Sequence, residues 1–164
     1  MVRKETGSEK TLSLMDMLKR EAIRVGVKAT DWKDAVRKIG ELLVEIGAAE
    51  PRYTEAMIKT VIEMGPYIVI AKGIALPHAR PEEGAKKPAL AVMKLATPVE
   101  FGNPDNDPVD ILIALVATDN KSHVKALAQL AKILMKPQNI EKIRNAKTPD
   151  EVYDVFVNAL REIQ

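Results

Sequence analysis

Residues 109–116, Val-Asp-Ile-Leu-Ile-Ala-Leu-Val, are apolar at every position except Asp110. A run this short and this apolar is a strand buried on both sides, because successive side chains of a strand point to opposite faces. Whatever the chain folds into must therefore cover two faces of a sheet. The covering material is legible on either side of the run. Trp32, Ala35, Val36, Ile39, Leu42, Leu43 and Ile46 recur at helical spacing, with Thr30 placed as a cap and Gly47 as the stop. Pro51 opens a second helix with Tyr53, Met57, Val61 and Met64 on one face, closed by Gly65-Pro66. Beyond the strand the chain reads as helix over 122–135, 139–145 and 149–163. The last of these starts at Thr148-Pro149-Asp150-Glu151, a threonine cap with proline at the first helical position.

Further strands complete the sheet. Ile23, Val25 and Val27 alternate with polar residues in 22–28, and 89–95 is apolar at nearly every position. Tyr67–Ile70 and Ile74–Leu76 are short strand candidates around a Lys72-Gly73 turn. Leu12, Met15 and Leu18 sketch a short helix ahead of the first strand. Residues 77–88 hold three prolines and a row of charges, which reads as a surface loop too polar to pack. Residues 1–10 are polar and aperiodic, an expected loose tail, leaving 11–164 as a single domain. Strands with helices before and after them give an α/β sandwich with helices on both faces of a small sheet.

Composition removes several classes of function. The chain has 164 residues, 25 Lys+Arg against 23 Asp+Glu and a net charge of +2, too even for a nucleic-acid partner. It has no cysteine, which excludes disulfides, thiolate zinc, iron–sulfur clusters and thiol nucleophiles. No apolar run approaches membrane-span length, and the charged start lacks the apolar block of a signal peptide, so a cytoplasmic domain is expected.

There are two histidines, His78 and His123. Pro77 cannot donate to a sheet ladder, so it ends the strand before it and presents His78 at the sheet edge. His123 stands where the buried strand gives way to a helix, a place where α/β folds bind ligands and where free N–H groups favour anions. If both strands lie in one sheet, the two rings flank one point. A phosphoryl group carried on one imidazole and hydrogen-bonded by the other suits that pairing, since the neutral ring is a nucleophile near its ordinary pKa of ~6.5. Blander readings fit the same spacing: a surface histidine beside a turn, and a helix-opening polar residue.

Other chemistries draw on the same residues. His78, His123 and Asp119 have the composition of a two-histidine, one-carboxylate metal site, though no element carries two of them at ligand spacing. Ser122 precedes a histidine directly and cannot face it as nucleophile and base, and no nucleophile elbow exists. No Walker-type loop is present. Asp105, Asp107 and Asp110 lack the glycine and terminal glutamate of a calcium loop, and a turn stabilised by its own side chains fits them better. Arg80, Lys86 and Lys87 read as solvated loop charges, and the methionines as core filler. No metal or other cofactor is called for.

Four motifs in order carry a family resemblance: Glu50-Pro51-Arg52-Tyr53, Gly65-Pro66-Tyr67-Ile68-Val69-Ile70-Ala71, Gly-Ile-Ala-Leu-Pro-His-Ala-Arg-Pro over 73–81, and Asp-Asn-Asp-Pro-Val-Asp over 105–110. The sequence resembles the enzyme IIA components of the bacterial phosphoenolpyruvate-dependent sugar phosphotransferase system, fructose–mannitol type, and among them the ascorbate-type IIA proteins most. The resemblance implies a three-layer α/β/α sandwich with a small mixed sheet. It implies that His78 is phosphorylated by the phosphohistidine of the small carrier HPr, that His123 supports the phosphate, and that the group leaves for a cysteine of a IIB component serving a membrane IIC permease. A regulatory domain without a permease is the alternative within the same resemblance, and a homodimer is left open. Mannitol-type members carry an arginine in the helix upstream of the histidine loop. The comparable stretch here is Lys59-Thr60-Val61-Ile62-Glu63, so Arg80 becomes the expected phosphate-binding guanidinium, with Ser122 beside it.

Overall fold

A computed structural model describes residues 13–163. The expected tail over 1–10 lies outside the described residues. Five strands form one mixed sheet: β1 (Leu18–Val27), β2 (Val69–Ala71), β3 (Ile74–Ala75), β4 (Ala89–Val99) and β5 (Val109–Val116), in the order β1-β4-β5-β3-β2. β1 runs parallel to β4, β4 antiparallel to β5, β5 parallel to β3, and β3 antiparallel to β2.

The two covering layers are separate cores. Helices α2 (Trp32–Glu45) and α3 (Pro51–Met64) pack Val36, Ile39, Leu43, Tyr53 and Met57 against Ala91, Met93, Leu112 and Ala114. On the other face the short α1 (Leu14–Met17), α4 (Asn120–Leu134), α5 (Pro137–Asn145) and α6 (Pro149–Glu162) bury Leu130, Ile133, Val152 and Phe156 against Val92, Ile111, Ile113 and Leu115. Alternate residues of β5 enter alternate cores, which is why the strand has no polar face. This is the three-layer α/β/α sandwich.

The corrections to the sequence reading are local. Asp31, not Thr30, caps α2, its carboxylate accepting the Asp34 N–H at 2.8 Å. β1 begins at Leu18, where a helix was expected to continue, because the backbone there already pairs with Leu90 of β4. β4 runs on to Val99, paired with Val109, although Ala96–Pro98 are exposed. Residues 66–68 form a 3-10 turn instead of strand, with Gly65 at φ +78° turning the chain into it and Tyr67 projecting into solvent. The 77–88 loop is not simply surface: Pro77, Ala79 and Gly84 are buried, and Ala85 bridges to Ala49.

Helices α2 and α3 come close at Gly40. A Cβ built there would lie 2.3 Å from Thr54 Oγ1 and 2.5 Å from its Cγ2, stiff atoms next to the α3 backbone. Gly40→Ala sets a gain of about 1 kcal/mol in helix propensity against an overpacking cost of about 1–3 kcal/mol. The clash should win. Urea denaturation should show net destabilisation, and adding Thr54→Ala should recover part of it.

Candidate functional site

The parallel pairing of β3 with β5, Ile74 beside Ile111 and Ala75 beside Leu112, makes both strands end at the same edge. His78 follows β3 by three residues and His123 follows β5 by way of the first turn of α4. Their rings stand 6.0 Å apart between centroids and are tilted by 46°. The structure thus brings together the two rings that the sequence placed at the ends of two strands of one sheet, as expected. Both are partly exposed.

One hydrogen bond decides the chemistry of the first ring. His78 Nδ1 lies 2.9 Å from the carbonyl oxygen of Leu76. A carbonyl only accepts, so Nδ1 carries the proton and Nε2 keeps its lone pair. His123 differs: burial, and secondarily the positive charge that His78 acquires when protonated, hold its pKa below the ordinary histidine value. The second ring is neutral under conditions where an exposed histidine is partly charged.

Helix α4 starts two residues earlier than expected. Asp119 is its cap, accepting the Ser122 N–H at 2.7 Å on the side chain and the His123 N–H at 3.2 Å on the backbone. Neither amide is therefore available to an anion, and Ser122 itself is fully buried. Arg80 extends into solvent with its side chain 79% exposed, 3.9 Å from both Glu82 and Glu83. No group of three or more His, Asp or Glu converges to hold a metal ion among the described residues. Asp119, the carboxylate considered for one, is the helix cap.

The acidic loop is a fastening for β3. Asp107 accepts the N–H groups of Phe101, Gly102 and Asn103, and Asn103 Oδ1 accepts those of Asp105 and Asn106. The loop then grips the β2–β3 turn: Asn106 donates to Val69 O, Asn106 O accepts the Gly73 N–H, and Lys72 Nζ donates to Asp105 O. Arg144 of α5 closes the turn with two 2.8 Å bonds to Asp110, while Lys94 donates to the carbonyls of Arg144 and Ala146 that end α5. Gly73 is required here. It adopts φ +73°, and a Cβ would meet Arg144 Nη2 at 2.6 Å and Asp110 Oδ1 at 2.9 Å.

Tyr53 was legible only as an apolar-face residue of α3. Its hydroxyl instead reaches the backbone of Ala79, next to His78. The signal was the motif Glu-Pro-Arg-Tyr, which spacing alone does not connect to a loop 26 residues away.

Residues 16–159 match the model of the family described as phosphoenolpyruvate-dependent sugar phosphotransferase system, EIIA 2. The chain belongs to that family. The ascorbate-specific EIIA component of Shigella boydii is 40% identical over 147 residues, covering 88% of this chain and 96% of its own. The mannitol-specific cryptic enzyme IIA CmtB of Escherichia coli superposes with a TM-score of 0.80 at 31% identity, covering 90% of this chain and 99% of its own. Mannitol IIA of E. coli, solved as a complex with phosphorylated IIB, gives 0.76 at 27% identity, covering 87% and 99%. This IIA protein is a phosphoryl carrier and a phosphotransferase component, acting between HPr and a IIB component. Among the described residues no helix is long and apolar enough to cross a membrane.

The lowered pKa of His123 has a sign that stability can report. An unfolded histidine binds a proton more readily than this one, so stability is full above the ordinary histidine pKa and is lost as pH falls through the folded value. Urea midpoints taken from about pH 8 to about pH 5 should fall for the wild type, and by less for His123→Gln, which has no ring to titrate.

Proposed function

We propose that this IIA protein carries the phosphoryl group on Nε2 of His78 and works in the cytoplasm in ascorbate uptake. The observation that carries the reading is the Leu76–His78 hydrogen bond beside the second ring: one imidazole has a single free nucleophilic nitrogen, and the other stands close enough to meet the oxygens of what it carries. The ascorbate assignment is supported by the 40% identity to an ascorbate-specific EIIA component and by the share of both chains that it covers.

The transfer is an in-line displacement. His78 Nε2 attacks the phosphorus of phospho-HPr, the bond from phosphorus to the HPr histidine breaks, and that imidazole leaves with its electron pair. The reverse geometry delivers the group to a cysteine thiolate of IIB, which then serves the IIC permease. Little covalent work falls to the protein, so positioning and charge dominate. Before transfer a positive charge on His78 disfavours a proton on His123. A phosphoryl dianion on His78 reverses that sign and draws a proton to His123, which then donates a charge-assisted hydrogen bond to a phosphoryl oxygen. Such bonds are worth about 1.5–3 kcal/mol.

Arg80 is the proposed guanidinium for the phosphate. It is weakly engaged at 3.9 Å by Glu82 and Glu83 in solvent and so is free to swing, one residue beyond Ala79. Ser122, being buried, serves by seating the turn that holds His123. An apolar groove of about 300 Å³ between the β2–β3 edge and α4, lined by Ile70, Leu76, Leu127 and Leu130, lies on the chain beside His78 and suits the docking of both protein partners.

His78→Ala should fold and accept no label from phospho-HPr, and mass spectrometry of the wild type should place the label on His78. His123→Ala should still be labelled but should pass the group to IIB about ten- to a hundredfold more slowly, the equivalent of about 1.4–2.8 kcal/mol. His123→Gln, which keeps a donor, should recover part of that loss. Label on His123, or wild-type transfer by His123→Ala, would overturn the respective role.

A further inference from the structure

The chain around His78 has left the sheet. β3 ends at Ala75, and Leu76 to Ala79 pair with no strand. The bond from His78 Nδ1 to Leu76 O orients the ring, but only relative to its own loop. A separate contact must fix that loop relative to β5, because β5 leads into the helix that carries His123. Tyr53 supplies it. Its side chain is 1% exposed, beneath the loop in the first turn of α3. The hydroxyl oxygen accepts the Ala79 N–H at 3.2 Å, and its proton has two carbonyl acceptors at 3.1 Å, Ala79 O and Leu115 O. One oxygen therefore joins three elements: α3, the loop after His78 and the last turn of pleat in β5.

We infer that Tyr53 is a positioning residue for phosphoryl transfer, its hydroxyl holding the backbone after His78 against the end of β5 so that the two imidazoles keep their spacing. The inference rests on the reading that His78 carries the group. Three physical points support it. Burial pushes the Tyr53 pKa up to about 12, so the hydroxyl keeps its proton and remains both donor and acceptor. The Ala79 N–H, the next amide in the chain after His78, is taken by Tyr53 at 3.2 Å and so serves to hold the loop, not the phosphate. In-line transfer is also steep in geometry: a displacement of about 1 Å can cost about a hundredfold in rate.

A purely structural hydroxyl would affect stability alone, so the test separates the two. Tyr53→Phe keeps the ring and its packing, and an excluded osmolyte such as trimethylamine N-oxide keeps the variant folded through the assay. Transfer from phospho-HPr should show kcat lowered about tenfold with KM for phospho-HPr within about twofold of wild type. Nitrogen-15 spectra of His78 should move from the single form protonated on Nδ1 toward a mixture of the two tautomers. Phe156→Leu, in the core on the opposite face of the sheet, should lose stability yet keep the wild-type rate and spectrum. In the wild type the Ala79 amide should exchange with solvent as slowly as the amides of β5. Wild-type kcat and an unchanged spectrum in Tyr53→Phe would overturn the proposal, as would rapid exchange at Ala79 or an equal rate loss in Phe156→Leu. Wild-type label found away from His78 would instead sink the carrier assignment, a result distinct from any of these.

Discussion

β3 is two residues long, and its parallel pairing with β5 is what carries His78 to the edge where His123 stands. So short a strand has little ladder of its own to hold it. The molecule compensates from outside the sheet. Asp107 and Asn103 organise the loop before β5, that loop grips the β2–β3 turn, and Arg144 on Asp110 locks the turn from α5. The buried apolar run of β5 anchors all of these. Its alternate residues are committed to two different cores, so a shift in register would expose both sets at once.

From that frame the chemistry follows with few residues. A carbonyl two positions back takes the Nδ1 proton of His78, the ring proposed to carry the group. Burial favours the neutral form of the second ring, and in the proposed mechanism a phosphoryl dianion on His78 reverses that preference. In that mechanism the charge on His78 sets the charge on His123, a coupling that suits a carrier which must take up and release the same group.

The sequence showed the periodic elements well, because their signals are local. The apolar face of α2, Pro51 at the start of α3, the run 109–116 and the Thr148–Glu151 capping box each declare themselves within a few residues, and the structure keeps them. Elements settled by tertiary pairing were harder to see. Leu18 reads as helix but pairs as strand, and Tyr67 reads as strand but sits in a 3-10 turn forced by Gly65-Pro66. The cap of α4 at Asp119 shifts the free amides upstream of His123. Proximity of the two histidines was expected, but their roles came from the family resemblance. The contribution of Tyr53 was invisible: a tyrosine at helical spacing looks like core until the loop it supports is in place.

The central claim is that the protonated Nδ1 leaves Nε2 of His78 as the atom that carries the group. It is tested most directly by nitrogen-15 and phosphorus-31 spectroscopy of the protein labelled with 15N in its histidines and phosphorylated by phosphoenolpyruvate, enzyme I and HPr. The account predicts a phosphorus–nitrogen coupling to Nε2 of His78, with its Nδ1 still bearing hydrogen and His123 uncoupled. Coupling to Nδ1 of His78, or to either nitrogen of His123, would contradict it.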